Sequence, residues 1–352
     1  MGRWYKGGQT NICHNCVDVH LRTGRRKQTA LIYDSAYTKV TKSYSYEDLQ
    51  DHVGRFATLL NSLDVNKGDR VLIYMPMIPE AVFAMLACAR IGAIHSVVFG
   101  GFAAKELANR VTDCKPKILV TASCGIEPNK LIPYRPIVDE ALVYADHSHI
   151  KRIIVQRHNE YFDMGADPTL YVDYHSEMQK IKEVAECAHV DSTHPLYILY
   201  TSGTTGQPKG IVRDTGGTAV GLNWVMDYVF GVQPGDTWFA ASDIGWVVGH
   251  SFIVYGPLLR GATTILFEGK PVGTPDPGAF WRVVEQHKAT SIYAAPTAVR
   301  IIKKEDYEGD YVRKYNLVHL RAFNLVGERC DPDTIHWLQH RLPHVTLNDT
   351  WW

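Results

Sequence analysis

The chain has no excess of charge of either sign: 37 lysines and arginines face 37 aspartates and glutamates over 352 residues. With that balance no strongly basic face is predicted, and nucleic acid is not expected as a partner. Long apolar runs are also missing, and no stretch approaches the ~18 residues that a membrane-spanning helix needs. The cysteines number seven, an odd count scattered along a long chain. They do not read as a disulfide framework and fit a reducing compartment. Two catalytic signatures are absent too. There is no G-K-[S/T] ending a Walker A loop and no G-x-S-x-G elbow, which disfavours ordinary P-loop NTPases and elbow-type hydrolases.

What is present is a hydrophobic fraction of 45%, ample for a large core or two lobes. Apolar runs of strand length alternate with helical patterns: Val71 to Met75 then Ile78 to Ile91, Ile94 to Phe99 then Ala103 to Asp113, Ile118 to Thr121 then Pro136 to Ala145. The rhythm returns after residue 237, with Val247 to Leu259 and Asp331 to Arg341 as helices. Such alternation predicts an α/β fold of mainly parallel sheets covered by helices. Two α/β lobes are expected, one on each side of a polar linker near 158–190, with ligands at the carboxyl ends of the strands.

One run stands out: Tyr200-Thr201-Ser202-Gly203-Thr204-Thr205-Gly206-Gln207-Pro208-Lys209-Gly210, directly after the strand-like Leu196 to Tyr200. Its glycines allow positive φ and close backbone approach, so successive N–H groups can face one anion. The hydroxyls of Thr201, Ser202, Thr204 and Thr205 add donors, and Lys209 adds charge. A solvated turn needs neither a lysine nor four hydroxyls in this order. A second, weaker pattern is Cys13-x-x-Cys16 with His14 and His20 nearby. It could form half of a zinc site, but no second pair follows at ribbon spacing, so a buried or incidental role is expected and no metal ligand is assigned.

The Tyr200–Gly210 run resembles the phosphate-binding signature of the acyl-adenylate-forming superfamily. Further runs narrow the likeness to short-chain acyl-CoA synthetases: Trp4 to His20, Tyr74 to Pro79, Ile94 to Phe102, Ser242 to Ser251, Phe267 to Pro271 and Asp349 to Trp352. The resemblance implies a lead-in segment at 1–28 and an AMP-binding domain at 29–352, incomplete at its C-terminus and without the mobile C-terminal domain. It further implies ATP, Mg²⁺ and coenzyme A as cofactors and a short-chain acid as substrate. The acid attacks the α-phosphorus of ATP, and the thiol of coenzyme A then attacks the acyl-adenylate.

By the same resemblance, ATP or AMP is held by Thr201, Ser202, Gly203, Thr204, Thr205, Gly206 and Lys209, with Gly327, Glu328, Arg329, Asp349, Thr350, Trp351 and Trp352. Lys209, Thr204 and Thr350 are the catalytic candidates. Trp246, Val247, Val248, Val326 and Trp352 correspond to the acyl pocket, whose tryptophan floor restricts chain length. Val248 replaces a threonine of the acetate branch, and Arg329-Cys330 replaces a proline-containing run, which suits propionate over acetate or butyrate. The coenzyme A turn corresponds to Glu127, Pro128, Asn129 and Lys130, with Val248 and Val272 as further contacts. The likeness implies a mitochondrial matrix location, although no targeting segment is visible, and a fragment with little activity alone. A silent ATP-binding module and a carrier-protein adenylating domain are the alternatives.

Overall fold

The computed structural model describes residues 5–127, 130–158, 167, 169–201 and 208–351. Two seven-stranded sheets share one plan. The first runs Tyr171–Asp173, Lys151–Val155, Ile118–Ala122, Arg70–Met75, Ile94–Phe99, Pro195–Thr201, Lys209–Asp214. The second runs Thr346–Asp349, Ala322–Leu325, Ser291–Ala294, Thr237–Ala241, Thr263–Glu268, Thr29–Ser35, Val40–Ser45. In each sheet neighbouring strands are parallel, except at one edge, where an antiparallel hairpin partner closes the row. The expectation of mainly parallel sheets thus holds.

Period-two alternation distributes the apolar residues between layers. Val71, Ile73 and Met75 enter a central core while Leu72 and Tyr74 of the same strand enter an outer one. In the second sheet Trp238 and Ala240 face the centre and Phe239 faces the other outer core. The central core is filled by two helices, Tyr46–Ser62 and Pro79–Ile91, sandwiched between the sheets. Pro79–Ile91 is buried nearly all round, which a helix without a polar face requires. Ala104–Cys114 and Tyr134–Tyr144 cover the first sheet; Ala279–His287 covers the second together with Pro296–Glu305 and Pro332–Arg341. The result is five layers, α/β/α/β/α.

The linker does not divide the chain into an earlier and a later lobe, as the sequence suggests. Thr29–Ser35 and Val40–Ser45 belong to the second sheet, and Pro195–Thr201 and Lys209–Asp214 to the first. Strand pairing over more than 200 residues is decided by packing, which local patterns do not encode. Nor is the linker featureless: it supplies the edge strand Tyr171–Asp173 and the helix Tyr174–Lys180, and Val190–Asp191 pairs with Gln9–Thr10. The stretch expected as one helix from Val247 is helical to Leu259, with a wider turn across His250–Tyr255. Among the described residues no helix is long and apolar enough to cross a membrane.

Candidate active site at the carboxyl ends of both sheets

Five strands end around one depression. Thr201 closes a strand of the first sheet, while Ala241, Ala294, Leu325 and Asp349 close strands of the second. This is where parallel α/β sheets leave a crevice for ligands. Two cavities meet there at Gly327.

The more polar cavity, about 490 Å³, is lined by Gly327, Glu328, Arg329, Asp349, Thr350 and Trp351. All six were expected nucleotide contacts, and they arrive from two adjacent strand ends whose register pairs Leu325 with Asp349. Gly327 has φ +101°, a left-handed turn that a side chain would strain, and it leaves the backbone open to the cavity. The Thr350 N–H and Oγ1–H both donate to the Leu325 carbonyl at 2.8 Å, tying the two strand ends together. The Cys330 N–H donates to Asp349 Oδ2 at 3.2 Å. Arg300, which sequence reasoning missed, pairs with Glu328 and, at 3.2 Å, with Asp331, so it fixes the turn that carries Glu328. Its only sequence signal is a position on a helix facing that turn.

The second cavity, about 570 Å³, is lined on one side by Trp246, Val247, Val248, Tyr293 and Val326. Four of these are expected acyl-pocket residues. Trp246 is stacked on Phe99 with ring centroids 5.3 Å apart. Burial pushes the Tyr293 phenol up to about 12, so it stays protonated. The opposite wall is the ribbon formed by Pro195–Thr201 and Lys209–Asp214. Its register sets Tyr197 against Arg213, Leu199 against Ile211 and Thr201 against Lys209. Tyr197, Leu199, Thr201, Ile211 and Arg213 all line the cavity. Lys209, two residues before Ile211 on an unbroken register, shares that face. Arg213 is a second cation on this wall that the sequence reading missed, and its spacing of four from Lys209 was the available signal.

Ser202, Gly203, Thr204, Thr205 and Gly206 of the phosphate run lie outside the described residues, as do Trp352, Pro128 and Asn129. Thr201 and Lys209 are the described ends of the run and stand opposite each other.

Of the described residues expected to contact coenzyme A, Glu127 and Lys130 meet across one hairpin, while Val248 and Val272 lie in other surroundings. Glu127 lines a separate cleft of about 280 Å³ with Asp243, Glu268 and Lys270. Val248 opens into the second cavity, and Val272 packs against the outer core of the second sheet. Lys270 approaches Glu127 to 3.5 Å. Glu268 is a buried carboxylate that receives Tyr33 Oη–H at 2.6 Å, Ser35 Oγ–H at 2.7 Å and the Arg157 guanidinium at 2.8 Å. Burial pushes the Asp243 carboxyl up to about 6, opposed by the Gly245 N–H donating to it at 2.7 Å.

The family described as AMP-binding enzyme matches residues 20–352. Acyl-CoA synthetase short-chain family member 3, mitochondrial, from Bos taurus is 48% identical over 99% of this chain and 50% of its own length. An acetyl-coenzyme A synthetase from Methylobacterium radiotolerans is 43% identical over 99% of this chain and 54% of its own length. Among solved structures, acetoacetyl-CoA synthetase from Streptomyces lividans superposes with TM-score 0.88 at 26% identity, over 99% of this chain and 52% of that one. The chain spans about half the length of the curated relatives it matches. It belongs to the AMP-binding enzyme family, and within that family its likeness is to the short-chain acyl-CoA synthetases.

Proposed function

We propose that this chain carries the acid-activating site of an AMP-forming short-chain acyl-CoA synthetase, converting a short-chain carboxylate and ATP to an acyl-adenylate that coenzyme A then cleaves. The observation that carries this reading is the pair of cavities sharing Gly327, one polar and one apolar. A mixed anhydride of AMP and a short acid needs both environments joined at the reacting carboxyl.

Adenine and ribose fit the cavity of Gly327, Glu328, Arg329, Asp349, Thr350 and Trp351. The acyl chain fits against Trp246, Val247, Val248 and Val326. The acid's carboxylate then lies near the boundary, with Lys209 and Arg213 on the ribbon wall available to offset its charge and that of the phosphates. Mg²⁺ enters with ATP as part of the substrate. No protein nucleophile is required, since the carboxylate itself attacks the α-phosphorus and pyrophosphate leaves. The protein's part is alignment and stabilisation of developing negative charge.

Propionate is the favoured acid in this reading, because Val248 keeps the pocket wall apolar and Trp246 limits its length. Coenzyme A is proposed to approach by the cleft of Glu127 and Lys270, and residues 1–28 to serve as a lead-in to the domain at 29–352. A mitochondrial site of action is proposed on the names of the short-chain family member 3 relatives. Because those relatives are about twice as long, this span alone is proposed to bind ATP while making little acyl-CoA.

The test joins calorimetry of ATP binding with acid-dependent exchange of pyrophosphate into ATP, for the wild type and Lys209→Ala. The variant should bind ATP about tenfold more weakly, the size of one charge-assisted contact. Equal ATP affinity in the two proteins would remove Lys209 from the site. Exchange that ignores added propionate would remove the acid-activating reading.

A further inference from the structure

Cys13, from the Cys13-x-x-Cys16 pattern, does not face Cys16 as a metal half-site would. It meets Cys187, 174 positions along the chain, in a cluster with Asp18. The sulfur atoms of Cys13 and Cys187 and a carboxylate oxygen of Asp18 all lie within 4.8 Å of one another. The Arg90 guanidinium closes the group. It approaches Cys13 Sγ to 3.7 Å and grips Asp18 through both oxygens, at 2.8 and 3.0 Å. The Cys187 thiol donates to Asp18 Oδ2 at 3.6 Å. Cys13 is fully buried, whereas Cys187 is partly exposed.

We propose that Cys13 and Cys187 are a redox pair that closes to a disulfide, tying the first turn of the helical stretch 12–22 to the extended segment before Val190. Two thiols and a carboxylate would also suit a soft divalent cation. The cluster argues against it, because both Asp18 oxygens are already bound to Arg90 and a permanent cation stands beside the sulfurs. Two adjacent thiols can instead join to each other without displacing any of these contacts.

The chemistry balances with a hydroperoxide as oxidant. The Cys187 thiolate, on the accessible side, attacks the peroxide oxygen; the O–O bond breaks, and Cys187 becomes a sulfenic acid as water or an alcohol leaves. The Cys13 thiolate then attacks that sulfur, the S–S bond forms, and the departing hydroxide takes a proton to leave as water. Two electrons pass from the thiols to the peroxide. The hydrogen bond to Cys13 and burial push the Cys187 thiol well up. Thiolate is therefore scarce at neutral pH, and closure is faster as pH rises.

The tie would reinforce contacts already made at this junction. Gln9–Thr10 pairs with Val190–Asp191, and Asn11 Nδ2–H donates to the carbonyls of Ala89, Arg90 and Ala188 at 2.9 to 3.0 Å.

The experiment treats the purified chain with hydrogen peroxide at pH 7 and pH 9, alkylates the remaining thiols and maps cross-links by mass spectrometry. Zinc protection from alkylation is measured in parallel on untreated protein. The expected result is a Cys13–Cys187 cross-link that forms several-fold faster at pH 9, reverses with dithiothreitol and is lost in Cys187→Ser but kept in Cys16→Ser. A Cys13–Cys16 cross-link, or sulfinic acid at Cys187 with Cys13 still free, would overturn the proposal. So would stoichiometric zinc that shields Cys13 and Cys187 together, which would make the cluster a metal site.

Discussion

Single side chains set the shape of the apolar cavity, and Trp246 is the largest of those that line it. Its indole lines the cavity while stacked on Phe99 and edge-on to Phe102, so its position is fixed by aromatic contacts and not by burial. It is 44% exposed, so truncating it removes ligand-facing surface more than core packing. Trp246→Ala should therefore lengthen the pocket and raise kcat/KM for a four- or five-carbon acid relative to propionate by about tenfold, the lower end of what one methylene is worth in an apolar site. Measuring acid-dependent pyrophosphate exchange across a chain-length series checks this, and an unchanged order of acids would place the acyl chain elsewhere. At this scale the sequence was informative where a motif is contiguous. Gly327, Glu328 and Arg329 lie in one cavity with Asp349 and Thr350, as their resemblance implies. Arg300 and Arg213 escaped notice because each is an ordinary surface arginine until the fold sets it beside Glu328 or opposite Tyr197.

Elements that span the two sheets hold the cavities open, and one glycine shows how closely they approach. Trp246 begins the helical run Val247–Gly249, directly after Gly245. A Cβ on Gly245 would lie 2.6 Å from the Phe99 Cα, a backbone atom of the strand Ile94–Phe99 that cannot yield like a flexible side chain. Gly245→Ala should push the run that carries Trp246, Val247 and Val248 away from the first sheet. The expected outcome is a loss of about 1–3 kcal/mol of stability, the range for overpacking, together with weaker use of every acid regardless of length. Chemical denaturation and the same exchange series distinguish this from Trp246→Ala, which shifts preference between acids. Most helices and parallel strands were legible from periodicity, since 3.6- and 2-residue repeats are local. The hairpin Thr29–Ser35 with Val40–Ser45 and the helix Tyr46–Ser62 were not recognised, although Ser45 and Asp48 form a reciprocal capping box at that helix start. Their membership in the second sheet depends on pairing Thr29–Ser35 with Thr263–Glu268, a contact no window of sequence contains.

Across the whole molecule, buried titratable groups between the sheets couple stability to pH in opposing directions. Burial lowers His250 from 6.5 to about 4, and burial lowers His95 well below 6.5, with His250 adding a smaller push in the same direction. His95 Nε2 and the Tyr255 hydroxyl share a 2.6 Å hydrogen bond within the central core. Both rings are neutral in the folded state, so between pH 6.5 and 4 the unfolded chain binds protons that the folded chain does not, and stability falls as pH falls. For His250 alone that loss reaches about 3 kcal/mol at one pKa unit per 1.4 kcal/mol. Asp243 works the other way. Its carboxyl is raised from 3.8 to about 6, so the folded chain binds the extra proton, and stability rises as pH falls through 6 toward 3.8. The gain is also about 3 kcal/mol, which offsets much of the histidine loss over the same window. Asp243→Asn removes that compensation while keeping the shape and an acceptor oxygen for the Gly245 N–H. Denaturant midpoints at pH 7.0, 5.5 and 4.5 should then fall more steeply in Asp243→Asn than in the wild type, with the two proteins closest in slope above pH 6.5. Parallel curves down to pH 4.5 would mean that Asp243 titrates as an ordinary carboxylate and that the cleft it shares with Glu127 and Glu268 admits water freely enough to solvate its charge.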